Sequence, residues 1–162
     1  MRTVVCPGSF DPFTFGHLDV VKRAQQLADH VIVGVARNAG KSALFNAEQR
    51  VDFAQRTLQR AGLSAVEVRH VPGLLTEFCD EVGAKHIVKG LRNGADLDSE
   101  LPMALMNRSI SSVETLFILG EPSLSHIASS LVKDVARHGG EISNMVDVDV
   151  AHALYLALSE EQ

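Results

Sequence analysis

The sequence predicts a doubly wound α/β domain, a five-stranded parallel sheet with helices on both faces, and three observations point to it. Five short runs rich in β-branched residues recur along the chain, at Thr3 to Cys6, His30 to Ala36, Ala65 to His70, His86 to Lys89 and Thr115 to Leu119. Each is followed by a turn signal, as strands are. The runs are nearly continuous in apolar residues instead of alternating, the pattern of strands covered on both faces. The segments between them carry apolar residues at helical spacing, so strand and helix alternate, the order that builds a Rossmann-like sheet. In such a sheet ligands bind beyond the carboxyl ends of the strands.

The first strand is followed by Leu18, Val21, Leu27 and Ala28 on one helical stripe, and the second by Val51, Ala54, Leu58 and Ala61. Asn46 and Gln49 read as a capping pair at the start of that second helix. Leu75 to Val82 suits a third helix, and Leu101, Leu105 and Met106 form an apolar stripe on a fourth. Proline is tolerated only near a helix start, so Pro102 predicts that the fourth helix begins close to Asp98. Ser129 or Ser130 is expected to cap a fifth helix that runs to His138 and is closed by Gly139-Gly140, and Val148 to Leu158 reads as a terminal helix.

The chain has 162 residues and shows no internal repeat, low-complexity tract or linker, so residues 1–162 are expected to form a single domain. A formal net charge of −5 argues against a general nucleic-acid binder while leaving room for a local cationic pocket. Cys6 and Cys79 stand alone, which suggests neither a disulfide framework nor a zinc site. The residues ahead of Pro7-Gly8 are too few for a signal peptide's apolar region and no later run suits a membrane span, so a cytoplasmic location is expected.

The chemistry gathers at the predicted carboxyl edge. Gly8 and Ser9 let backbone amides approach an anion where the first strand ends, and Gly16-His17 opens the next helix, whose amino terminus attracts phosphate. A histidine there can donate to a phosphoryl oxygen as charge builds during displacement at phosphorus. In isolation such a histidine is a capping or surface residue. Lys41, in the polar loop after the second strand, is by itself a solvated loop charge or a point charge for a phosphate. Lys89-Gly90-Leu91-Arg92 puts two cations at the end of the fourth strand with a glycine that permits close backbone approach. Glu100 and Asn107 fall seven residues apart on one helical face, and Ser129-Ser130 place two hydroxyls beside free amides, which capping explains equally well.

The order Gly8-Ser9-Phe10-Asp11-Pro12, then Thr14-Phe15-Gly16-His17, resembles the signature of the nucleotidyltransferase superfamily that includes class I aminoacyl-tRNA synthetases. With Lys41, the Lys89-Gly90-Leu91-Arg92 element, Glu100, the Met106-Asn107-Arg108 triplet and the Ser129-Ser130-Leu131-Val132-Lys133-Asp134-Val135-Ala136 helix, the whole chain is similar to the bacterial phosphopantetheine adenylyltransferases. That resemblance implies transfer of an adenylyl group from ATP to 4′-phosphopantetheine, with dephospho-coenzyme A and pyrophosphate as products.

It implies catalytic roles for His17, Lys41 and Arg92. It implies ATP contacts from Ser9, Phe10, His17, Gly90, Leu91, Arg92, Glu100, Leu124, Ser125, His126, Ile127, Ala128, Ser129 and Ser130, and acceptor contacts from Ser9, Lys41, Leu75, Lys89 and Asn107. It also implies Mg²⁺ on the triphosphate with no dedicated protein metal site, and a homo-oligomer, a hexamer in this family. Ala128 stands where members commonly carry a serine, and Leu97, Ser99, Pro102 and Leu124 also depart from the pattern, so differently shaped acceptor and adenine walls are expected. The residues alone leave open a transferase for another acceptor, such as nicotinamide mononucleotide or a cytidylyltransferase substrate, and a nucleotide-binding regulatory module without turnover.

Overall fold

The computed structural model describes residues 1–159 and 161. Five strands, β1 (Thr3–Gly8), β2 (His30–Ala36), β3 (Glu67–Val71), β4 (His86–Leu91) and β5 (Glu114–Leu119), alternate with α1 (Phe15–Ala24), α2 (Ala47–Arg60), α3 (Leu75–Glu81) and α4 (Gly94–Ile110). Two helices follow, α5 (Ser129–Arg137) and α6 (Val148–Ser159). The sheet is parallel throughout, in the order β3-β2-β1-β4-β5. Strand order therefore reverses between β1 and β4, and that switch point is where a doubly wound sheet opens a crevice.

The crevice has a local cause. β1 pairs with β2 along its whole length, from Thr3↔His30 to Gly8↔Val35, but with β4 only at Val4↔His86 and Val5↔Ile87. Pro7 has no N–H to give to a ladder, and it lies where the pairing with β4 has already stopped. Beyond that point β1 and β4 separate.

Successive side chains of β1 point to opposite faces, and the core divides accordingly. Val4 and Cys6 join Val31, Val33, Val35 and Val88 under Leu18, Val21 and Ala24 of α1 and Ala54 and Leu58 of α2. Val5 turns the other way, with Ile32 and Ile87, against Phe78 and Cys79 of α3. A further cluster joins α5 and α6 to Phe45 and Phe53, so the terminal helices close over α2 and its approach loop.

The capping pair of α2 forms as expected, with Asn46 and Gln49 each accepting from the other's backbone amide. β1 and β4 each run two residues further than expected, to Gly8 and Leu91, and four other boundaries differ for local reasons. α1 ends at Ala24, because Gln26 and Leu27 bond back three residues in a tight turn that delivers Asp29 and His30 to the carbonyl of Arg2; Leu27 and Ala28 therefore leave the helical stripe. β3 begins at Glu67, since Val66 closes a turn onto Leu63. α4 starts at Gly94 with Asn93 as its cap, and Pro102 lies inside it. The carbonyl of Asp98 loses its helical partner at Pro102; both residues are exposed, so water can take that bond, while the clash of the proline ring with the preceding turn remains a cost that the rest of the helix bears. At α5 the cap position falls to Ala128, with no side-chain bond, while the Ser129 hydroxyl donates instead to the carbonyl of Pro12.

α4 is unusual in another respect. Of its 17 residues only Asn107 is buried, while Leu101, Met103, Leu105, Met106 and Ile110 are exposed.

Candidate active site

A cavity of about 1060 Å³ opens at the switch point. Its floor is the end of β1. Gly8 is required there because a Cβ would lie 2.8 Å from the Phe10 ring, which folds back over the strand end through a left-handed backbone at Phe10 (φ 49°). The chain then turns inward and Thr14 caps α1.

That cap also fixes the chemistry of His17. The backbone amide of His17 donates to the Thr14 hydroxyl (3.3 Å), and the amide of Thr14 donates to Nδ1 of His17 (3.0 Å). Nδ1 is thereby an acceptor. Burial, reinforced by the charges of Lys89 and Arg92, pushes the imidazole pKa down to about 3, so the ring is neutral. A neutral ring that accepts at Nδ1 carries its proton on Nε2. No partner among the described residues takes that proton, and His17 lines the cavity. Phe10 packs edge-on against the imidazole at 4.9 Å and Phe13 lies at 5.5 Å, so the donor is braced by a cluster of three rings in mutual contact.

The opposite wall is β4. Lys89 emerges from the sheet and meets Glu100 of α4 at 3.3 Å. Gly90 allows α1 to seat on β4, since a Cβ there would come within clashing distance of Val20. Arg92 is forked onto Asp96, with its Nε and backbone amide on one carboxylate oxygen and Nη2 on the other. The hydrogen bond from Arg92, against a smaller effect of burial, holds the Asp96 carboxyl below the usual range. Nη1 of Arg92 reaches the carbonyl of Ile127, at 3.3 Å, and so ties β4 to the approach of α5. There, the amides of residues 129–131 find no acceptor among the described residues, and Ser129 and Ser130 line the cavity.

The third wall is the segment 37–46. Lys41 is exposed, in a turn closed by its own amide on the carbonyl of Asn38, and no carboxylate among the described residues pairs with it. Cys6 also reaches the cavity, but burial outweighs the charge of Lys89 and pushes its thiol up to about 12, which excludes it as a nucleophile at neutral pH.

The structure thus gathers Ser9, Phe10, His17, Lys41, Lys89, Gly90, Leu91, Arg92, Glu100, Leu124, Ile127, Ala128, Ser129 and Ser130 around one cavity. Leu75, Asn107, Ser125 and His126 lie outside its lining. Leu75 packs with the core under α3, and Asn107 is buried on α4.

Among the charged residues at the site that the sequence reading gave no role are Asp11, Arg50 and Lys133. Asp11 accepts from the amides of Leu44 and Phe45 and from Lys133 of α5; burial opposes its ionisation, yet these bonds win and hold its carboxyl below the usual range. Arg50 is 5% exposed and donates to the carbonyls of Phe45, Ser9 and Ala36. A signal for Arg50 exists in the sequence: it heads the series Arg50, Phe53, Ala54, Thr57, Leu58, which is the buried face of α2. A cation at the head of an apolar stripe marks a buried charge with a task.

A parallel sheet that reverses at its centre, with a neutral imidazole donor and several cations at the reversal, defines a protein that handles the phosphates of a nucleotide. Residues 5–135 match the cytidylyltransferase-like family model. The chain is 49% identical over 162 residues to a phosphopantetheine adenylyltransferase of Bifidobacterium longum, covering 100% of this chain and 98% of that one. It is 49% identical over 154 residues to one of Streptomyces coelicolor, covering 95% and 96%. Among solved structures, a candidate nicotinate-nucleotide adenylyltransferase from Vibrio parahaemolyticus shares the fold with a TM-score of 0.70 at 16% identity, over 100% of this chain and 98% of that one. The chain therefore belongs to the cytidylyltransferase-like nucleotidyltransferases and, within them, to the phosphopantetheine adenylyltransferase family.

Proposed function

We propose that this chain transfers the adenylyl group of ATP to 4′-phosphopantetheine, giving dephospho-coenzyme A and pyrophosphate in coenzyme A biosynthesis. The observation that carries the reading is the free Nε2–H of a neutral His17 facing a cavity ringed by Lys41, Lys89 and Arg92. An acceptor phosphate is anionic at neutral pH, so it attacks the α-phosphorus in line with no general base. A P–O bond forms to the acceptor, the bond between α-phosphorus and the bridging oxygen breaks, and its electron pair leaves with pyrophosphate. Catalysis then rests on positioning and on charge stabilisation.

His17 donates to an α-phosphoryl oxygen as negative charge grows there. Being neutral, it acts as a fixed dipole and needs no proton of its own to move. The free amides of residues 129–131 and the guanidinium of Arg92 face the triphosphate, and Lys41 and Lys89 face the acceptor phosphate. Glu100 pairs with Lys89 at 3.3 Å.

The reading includes Mg²⁺ carried by the triphosphate, where it neutralises phosphate charge. Among the described residues no group of three or more His, Cys, Asp or Glu could hold a metal, and Asp11, Asp19, Asp96 and Glu100 are each engaged by a cation. The donor set therefore fits an ion held by phosphate oxygens and water. Residues 1–162 act as one nucleotidyltransferase domain in the cytoplasm; no helix among the described residues is long and apolar enough to cross a membrane.

A homo-oligomer is supported by the apolar residues that α4 and β5 expose, and the hexamer is the form that the family resemblance implies. Leu101, Met103, Leu105, Met106 and Ile110 of α4 are exposed together with Leu116 of the edge strand β5, more apolar surface than one helix normally leaves to water. Light scattering on the purified protein checks this, and a stable monomer would overturn it.

The deciding assay is pyrophosphate release from ATP with phosphopantetheine, nicotinamide mononucleotide or glycerol 3-phosphate as acceptor. Release with phosphopantetheine alone is expected. Release only with another acceptor, or ATP binding without release under any of them, would replace the reading.

A further inference from the structure

Lys41 and His17 stand on different segments of the chain, and two buried side chains of opposite charge join those segments at one place. Residues 44–45 are where the segment after β2 turns back toward α2. Their amides are taken by the Asp11 carboxylate, Leu44 at 2.9 Å and Phe45 at 3.0 Å. The Phe45 carbonyl is taken by Nε of Arg50 at 3.1 Å. The same guanidinium reaches Ser9, at 2.7 Å, and Ala36, at 2.9 Å, so it spans the ends of β1 and β2. Asp11 in turn is paired with Lys133 of α5 at 2.9 Å.

Residues 37–43 are exposed, whereas Phe45 is 3% exposed and Asp11 is 7% exposed. The exposed part of the segment is thus short and anchored at both ends, at Ala36 and at Phe45, by one side chain. No carboxylate among the described residues pairs with Arg50, whose charge is met by three carbonyl dipoles on the cavity wall. Burying a charge this way costs several kcal/mol unless every bond is good. A neutral residue would serve packing better, so what the cation supplies is geometry.

We propose that Asp11 and Arg50 form a two-sided clamp on residues 44–45 that positions Lys41 toward the acceptor phosphate, which makes both of them positioning residues for adenylyl transfer. This rests on the acceptor reading given above. Lysine at position 50 keeps the charge but has one donor group, which cannot fork to three carbonyls.

The test is steady-state kinetics of Arg50→Lys and Asp11→Asn with ATP and phosphopantetheine, alone and in a Lys41→Ala background. Arg50→Lys is expected to raise the KM for phosphopantetheine about tenfold with ATP KM nearly unchanged. Asp11→Asn is expected to raise both, because it also releases Lys133 on α5. In the Lys41→Ala background the effect of Arg50→Lys on acceptor KM should shrink to within about twofold, since the residue it positions is gone.

Equal losses on both substrates for Arg50→Lys, or full additivity with Lys41→Ala, would reduce Arg50 to a structural role and overturn the clamp. Absence of phosphopantetheine-dependent turnover in the wild type would instead overturn the acceptor reading. Amide hydrogen exchange on the wild-type protein gives an arm that needs no variant. Leu44 and Phe45 should be protected before acceptor binds while Ala39, Ser42 and Ala43, whose amides have no acceptor among the described residues, exchange freely, and fast exchange at Leu44 and Phe45 would also sink the clamp.

Discussion

His17 and Lys41 line one cavity and are held in opposite ways. His17 is tied by a reciprocal cap with Thr14, packed against a touching pair of phenylalanine rings and stripped of charge by its surroundings. Lys41 is exposed in a polar turn and tethered only by its backbone. The difference suits the two roles proposed for these residues. A donor that must meet a transition state gains from being fixed in advance, because reorganisation at the moment of reaction raises the barrier. A charge that must capture an arriving anion gains from reach.

The contrast can be broken most strongly at His17. His17→Ala should lower kcat by roughly 10²–10³-fold, the scale for losing one preorganised transition-state donor, with the fold retained. Turnover like that of the wild type in the purified variant would remove His17 from the mechanism.

Next in size is the effect of acid. The folded-state pKa of His17 is about 3 against an ordinary 6.5, so between those values the unfolded chain binds a proton that the folded chain refuses. Stability is complete above the upper value and falls as the pH drops toward the lower one. The His17 contribution should amount to about 2 kcal/mol between pH 7 and pH 5. Denaturant melts of wild type and His17→Gln across that range would measure it, and identical slopes would mean that the imidazole is protonated in the fold. By the same argument kcat/KM should show no inflection near pH 6.5 that His17→Gln abolishes.

The smallest effect is at Lys41. Lys41→Ala should weaken phosphopantetheine binding about tenfold, the scale of one charge-assisted hydrogen bond at an exposed site, and leave ATP affinity unchanged. Calorimetric titration reads both, and unchanged acceptor affinity would remove Lys41 from the acceptor site.

The same two walls differ in how far the sequence discloses them. The Pro7 to His17 segment is legible because its parts are local: a strand end, small residues, a cap and a helix start within one stretch of chain. The capping pair Asn46 and Gln49 is legible for the same reason. The clamp is not, because Asp11 binds amides 33 and 34 positions away and Arg50 binds carbonyls, and amides and carbonyls are present in every sequence. Only the place of Arg50 on a buried helix face hints at it. The start of α4 misleads for a different reason: the restriction on proline is an energetic preference of about 3 kcal/mol, which the rest of the helix outweighs at Pro102. At α5 two serines compete with an alanine for the cap, and the contact of Ser129 with Pro12, more than a hundred residues away, decides in favour of Ala128.

The unadorned start of α5 has a consequence for the free protein. A serine, threonine or asparagine cap would stabilise that helix by about 1 kcal/mol, and Ala128 forgoes it. Whatever anion settles on residues 129–131 supplies the missing acceptors, so occupancy of the site should register far from the chemistry, as slower fraying of α5 and a higher melting temperature of the packing it shares with α6. Substrate becomes a structural component of the fold for as long as it stays.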